Sequence, residues 1–132
     1  MGEKLPVILV VDDELDILRL VDTVLRQAGY RVTTARSADA AIRAVETMAL
    51  KPELLLADVV MPGMSGPVLA DQLCAALPGL HVLFMSGYDD RQIVQRYVVE
   101  KGFALLAKPF TPQTLLAAVQ QALAMPQPVA AS

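Results

Sequence analysis

The sequence predicts an α/β fold: a parallel sheet with helices on both faces and a set of acids and one lysine gathered at one edge. Two observations carry that expectation. Five short apolar runs alternate with longer amphipathic stretches. The polar residues of greatest chemical interest each stand just after one of those runs.

The elements follow in order. Val7–Val11 is a continuous apolar run, mostly β-branched, suited to a strand covered on both faces. Ile17, Leu18, Val21, Val24 and Leu25 then recur at helical spacing, and Gly29 closes that helix. Arg31–Ala35 is a short second strand. Ser37 caps a helix whose apolar face is Ala41, Ile42, Val45 and Met48, and Pro52 breaks the pattern. Leu54–Ala57 is the third strand, with Asp58 at its end. Pro62-Gly63-Met64-Ser65-Gly66 is a loop of turn residues. The third helix carries Val68, Leu69, Leu73 and Leu77, and Pro78-Gly79 ends it. Val82–Met85 is the fourth strand and stops at Ser86-Gly87. A fourth helix over Arg91–Glu100 ends near Gly102. Ala104–Ala107 is the fifth strand, stopped by Lys108-Pro109. Thr111 caps the last helix, with Pro112 in its first turn. Strands separated by helices require crossovers, hence a parallel sheet with helices on both sides. Residues 1–125 form one domain and Pro126–Ser132 a short flexible tail.

Composition narrows the function classes. Apolar residues make up 55% of the 132-residue chain, enough for a buried core and against disorder. A net charge of −3 offers no basic field for nucleic acid or an anionic membrane. The run after Lys4, Leu5 to Val11, ends in Asp12-Asp13-Glu14 and is too short for a signal peptide or a membrane span. The lone cysteine, Cys74, excludes an intrachain disulfide and points to a reducing, cytoplasmic setting.

Asp12 and Asp13 follow the first strand, Asp58 the third, Ser86 the fourth and Lys108 the fifth. All lie at carboxyl ends of parallel strands, the edge where open α/β sheets bind ligands. Three carboxylates in one pocket repel each other unless cations join them. Lys108 offsets one charge, and a hard divalent ion such as Mg²⁺ suits the rest. A carboxylate is a competent nucleophile for phosphoryl transfer, with the ammonium and a hydroxyl left to bind phosphoryl oxygens. Each residue alone has a plainer explanation. Acids favour the start of a helix, Asp and Ser-Gly favour turns, and single lysines are usually solvated. It is their common address that favours a site. His81 has no such company and reads as a structural or surface position, and Cys74 as a small core or boundary residue.

Val10-Val11-Asp12-Asp13-Glu14, Asp58-Val59-Val60-Met61-Pro62-Gly63-Met64-Ser65-Gly66, Met85-Ser86-Gly87 and Lys108-Pro109-Phe110 together resemble the receiver domains of two-component response regulators. The likeness runs from about Val7 to Leu123 and extends to the chemotaxis response regulator and to receivers of hybrid histidine kinases. It implies a flavodoxin-like three-layer sandwich, strand order 2-1-3-4-5, with five helices. It also implies transfer of a phosphoryl group from a histidine kinase or histidine phosphotransfer protein onto Asp58. By the same resemblance Asp13, Asp58 and the backbone carbonyl of Val60 hold Mg²⁺ (or Mn²⁺), with Asp12 acting through water. Lys108 contacts the phosphoryl group, Ser86 is the switch hydroxyl, and Lys108–Pro109 is cis. Leu105 stands where the family often has a Tyr or Phe switch residue, with Phe103 two residues earlier. Val60 and Tyr88 sit where side-chain bulk hinders an attacking water.

Two rivals are disfavoured. A phosphatase with an aspartyl nucleophile needs a second acid two residues on, where Val60 stands. A flavin carrier needs a donor-rich phosphate loop in place of Asp12-Asp13-Glu14. A receiver-like binding module that is never phosphorylated is the third alternative. The last helix, Pro112–Met125, contains no charged residue. Its outer face is either merely neutral or a contact surface. The second reading marks the face of the fourth helix, fifth strand and fifth helix for partner docking or homodimerisation.

Overall fold

The computed structural model describes residues 5–87, 98 and 101–125. Its elements are β1 (Val7–Val11), α1 (Leu15–Gln27), β2 (Arg31–Ala35), α2 (Ala38–Thr47), β3 (Leu54–Asp58), α3 (Gly66–Ala76), β4 (His81–Ser86), β5 (Ala104–Ala107) and a C-terminal helix (Pro112–Ala124). All strand pairs are parallel, in the order β2-β1-β3-β4-β5. The described residues therefore hold four helices. The fifth expected helix, over Arg91–Glu100, lies outside the described residues apart from Val98, which is buried. The tail after Met125 lies outside them as well.

The layers follow from the hydrophobic pattern. β1 and β3 are interior strands, and all five positions of each are buried. That is why they read as unbroken apolar runs. β2 is an edge strand, and its alternation of polar with buried residues matches one covered face. On one side of the sheet, α1 and the C-terminal helix enclose Ile8, Val10, Leu56, Leu83, Met85 and Leu106. On the other, α2 and α3 enclose Leu9, Val11, Leu55, Ala57, Val82 and Phe84. Burying each of the larger of these side chains contributes roughly 1.5–3 kcal/mol before entropy is counted. Phe103 meets Phe84 edge to face, with ring centroids 5.2 Å apart, so it belongs to this core.

Helix starts agree with the capping residues. Ser37 and Ser65 accept from the backbone N–H groups of Ala40 and Val68. Thr111 and Thr114 form a reciprocal capping box. Glu14, at the start of α1, makes no side-chain cap. Two strands run further than the apolar pattern indicates: β3 includes Asp58, and β4 starts at His81 and includes Ser86. Ladder pairing carries on past the last apolar side chain because it uses backbone groups only. Leu77, expected inside α3, is its C-terminal cap. His81 is half-buried, in line with a structural or surface role.

The register sets the site. Val11 is aligned with Ala57, so Asp12 and Asp58 leave adjacent strands side by side. Asp58 is aligned with Met85, and Ser86 with Ala107, so Ser86 and Lys108 come one step further along. The N-terminus of α3 is pinned beneath them, where the Gly66 N–H donates to the Val59 carbonyl at 2.9 Å. A Cβ at Gly66 would collide with the backbone carbonyl of Asp58. Gly66→Ala is therefore expected to cost about 1–3 kcal/mol, read as a lower denaturant midpoint. Gly63→Ala has open space but a positive φ of 81°, and should cost only about 1 kcal/mol.

Candidate functional site at the strand ends

The sheet order reverses direction between β1 and β3, which opens a crevice at their carboxyl ends. Asp12 lines it from β1 with no exposed surface, and Asp58 from β3 with 5%. Carboxylates so buried need partners. Lys108 is that partner for both. Its Nζ donates to Asp12 Oδ2 at 2.8 Å and to Asp58 Oδ2 at 3.2 Å. It also reaches Glu14 Oε1 at 3.4 Å. Two backbone N–H groups complete the set: Glu14 N–H donates to Asp12 Oδ1 at 2.9 Å, and Val60 N–H to Asp58 Oδ1 at 3.4 Å. Lys108 is held in turn by its own N–H, which donates to the Ser86 carbonyl at 2.8 Å. Ser86 is buried at the end of β4. The Lys108–Pro109 bond is cis, as expected.

One ammonium does not balance this many acids. Burial raises the Asp58 carboxyl to about 6, and repulsion from Asp12 adds to the shift. Asp12 is also raised, again chiefly by burial, with Lys108 opposing. Burial works against the Lys108 charge, but the hydrogen bonds and charges of Asp12 and Asp58 outweigh it and hold the ammonium protonated. Carboxylate oxygens of Asp12, Glu14 and Asp58 lie within 4.8 Å of one another. This is an oxygen-only, over-negative group that an added hard divalent cation would stabilise. The donor set therefore fits a metal ion.

The strand ends thus bring together Asp12, Asp58, Ser86 and Lys108. Asp13 is different. It is half-buried and, among the described residues, takes no part in the ion-pair network around Lys108. Asp12 and Asp13 follow the last residue of β1, and it is Asp12 that turns to Lys108. Glu14, which sequence reasoning grouped with the acids but gave no role, occupies the third place. Its position two residues after Asp12 was the available signal. Val60 is 44% exposed at the rim, and Leu105 is 37% exposed on β5. Phe103 is committed to Phe84, which leaves no surface aromatic in its place. Tyr88 lies outside the described residues.

Comparison with known proteins agrees with this geometry. The response regulator receiver domain model matches residues 8–120. The sensor kinase CckA of Brucella abortus is 32% identical over 88% of this chain and 12% of its own length. The nitrogen assimilation regulatory protein NtrX of Azorhizobium caulinodans is 32% identical over 88% of this chain and 26% of its own. Among solved structures, a response regulator receiver domain protein from Clostridium thermocellum superposes with a TM-score of 0.80 at 29% identity. It covers 90% of this chain and 94% of that one. The receiver domain of NtrX from Brucella abortus gives 0.78 at 32% identity, over 88% and 97%. An α/β signalling module with an acid-lysine pocket at its switch point is what fold and site define. The chain belongs to the response regulator receiver domain family, the phosphoacceptor modules of two-component systems. It spans 12%, 26% and 24% of the length of the first three curated relatives.

A pH dependence follows from the raised Asp58 carboxyl. Its ordinary value is 3.8 and its folded value about 6, so the folded protein holds this proton more tightly than the unfolded chain does. The stabilisation is complete below 3.8 and is lost as pH rises through about 6. In chelated buffer well above that value, Asp58→Asn should raise stability by roughly 2 kcal/mol. The gain should shrink as pH falls through the same range, as read by denaturant unfolding across pH.

Proposed function

We propose that Asp58 accepts a phosphoryl group from the phosphohistidine of a histidine kinase or histidine phosphotransfer protein. The observation that carries this reading is the Lys108 ammonium shared between two buried aspartates at the switch point of the sheet. In the transfer, an Asp58 carboxylate oxygen attacks phosphorus while the phosphorus–nitrogen bond to the donor imidazole breaks. The electron pair of that bond leaves with the imidazole. Lys108 gives up part of its contact with Asp58 to bind an incoming phosphoryl oxygen. Ser86, linked to Lys108 through the backbone, supplies a hydroxyl to another oxygen.

Mg²⁺, with Mn²⁺ as the alternative, would be held by Asp13, Asp58 and the Val60 carbonyl, with Asp12 acting through water. When bound it neutralises charge on the phosphoryl oxygens. The crowding of Asp12, Glu14 and Asp58 oxygens supports a cation at this place. The role for Asp13 rests on the family resemblance alone and requires its side chain to turn toward Asp58.

The domain acts as a signalling switch rather than a multiple-turnover enzyme. Phosphorylation adds charge and acceptor oxygens, which draw on Ser86 and Lys108 and so on the loops after β4 and β5. The responding face comprises β5 with Leu105 and the C-terminal helix, together with the expected helix over Arg91–Glu100, which lies outside the described residues. On that last helix Gln113, Ala117, Gln120, Gln121 and Ala124 are exposed without a charge among them. This face is the place for partner docking or a homodimer, and no direct contact with nucleic acid or membrane is proposed. Among the described residues no helix is long and apolar enough to cross a membrane. The working unit is the domain within residues 1–125, in the cytoplasm.

Incubation with acetyl phosphate and Mg²⁺ should add one phosphoryl mass to the intact protein and none to Asp58→Asn. An unmodified wild type, given acetyl phosphate and a cognate phosphohistidine donor in turn, would refute the assignment. Val60, exposed at the rim, shields the acyl phosphate from water. Val60→Ala should therefore shorten the phosphoryl half-life, by about threefold, in a decay assay after donor removal.

A further inference from the structure

Glu14 differs from the other acids of the pocket. Asp12 and Asp58 are buried, whereas the Glu14 side chain is 60% exposed. Its backbone is extended, it begins α1, and its side chain caps no helix N–H. Instead its carboxylate turns back over the crevice to Lys108 Nζ, 3.4 Å away. Its own N–H fixes Asp12 Oδ1. One residue therefore contacts both the ammonium and the carboxylate that the ammonium holds most closely. It does so from the solvent side, where a donor must enter.

We propose that Glu14 is a positioning and selectivity residue: it holds Lys108 toward the mouth of the pocket, and its charge favours a divalent cation there while opposing free anionic phosphodonors. The inference rests on Asp58 being the phosphoacceptor. The physical basis is the sign of one charge acting on two ligands. A carboxylate beside a cluster of acids deepens the negative potential that draws in a divalent ion. The same potential repels a small acyl phosphate, and the ion pair occupies a Lys108 proton that a phosphoryl oxygen would otherwise receive. A phosphohistidine delivered by a docked protein is held in place by other contacts and is less sensitive to this barrier. Because Glu14 is exposed, added salt weakens both effects.

The test compares wild type with Glu14→Gln, Glu14→Asp and, as a distant charge control, Glu46→Gln on the exposed face of α2. Mg²⁺ affinity is measured by calorimetry without any donor. The phosphorylation rate with acetyl phosphate is measured at saturating Mg²⁺. Glu14→Gln is expected to weaken Mg²⁺ roughly threefold or more and to speed phosphorylation by a similar factor, with both differences shrinking in high salt. Glu14→Asp, which keeps the charge, should stay near wild type for Mg²⁺, and Glu46→Gln should change neither quantity. Loss of a purely structural contact at the start of α1 would lower stability without moving cation and anion in opposite directions. Unchanged Mg²⁺ affinity and rate in Glu14→Gln, or changes of the same sign in both, would overturn the proposal. A wild type that accepts no phosphoryl group defeats instead the reading of Asp58.

Discussion

The Lys108 ammonium, shared between Asp12 and Asp58, is the interaction on which the site depends. Each of these aspartates is buried at the end of an interior strand, where water no longer solvates its charge. Without the lysine both would be strongly driven to the neutral form. With it they remain close together but short of positive charge, and burial, with repulsion from Asp12, leaves the Asp58 carboxyl raised to about 6. The pocket is thus prepared for more positive charge and for an anion that brings oxygens to Lys108. Stability and function pull in opposite directions here. The acids that would serve the chemistry are held together against their own repulsion by packing elsewhere in the fold.

That packing is the work of the sheet. The unbroken apolar runs of β1 and β3 force a covering layer on each side, and parallel pairing brings all carboxyl ends to one edge. The register then decides which side chains meet. Asp12, Asp58 and Lys108 come from the ends of three strands far apart in the chain, and the parallel register brings them to one edge. Gly66 serves the same arrangement from below, because its missing side chain lets α3 begin against the Asp58 backbone.

Most of the fold was legible because it rests on periodicity, capping and turn residues, signals that are local in sequence. Ser37, Pro78-Gly79 and Thr111-Pro112 each mark a boundary that the structure respects, while Gly66, read as loop, is the first residue of α3. The meeting of Asp12, Asp58 and Lys108 was legible for another reason: a parallel sheet has only one carboxyl edge. What could not be read was the direction of individual side chains. Asp12, Asp13 and Glu14 are consecutive acids, and nothing in their chemistry distinguishes which will face a lysine 94 to 96 positions on. The backbone at the entry to α1 makes that choice. Likewise Phe103 and Leu105 are both apolar, and only the packing against Phe84 assigns the aromatic ring to the interior. Strand ends were read short because ladder bonds ignore whether the terminal residue is apolar.

The short connection after β5 has a mechanical consequence. Lys108 is tied by its N–H to Ser86 on one side, and only Pro109 and Phe110 separate it from Thr111, whose capping box fixes the first turn of the C-terminal helix. So few residues leave almost no slack. A displacement of the Lys108 backbone is passed through two residues to the first turn of that helix. The chain there is a short tether between the pocket and the outer helix, joined at one end to the ammonium-bearing residue and at the other to a capped turn.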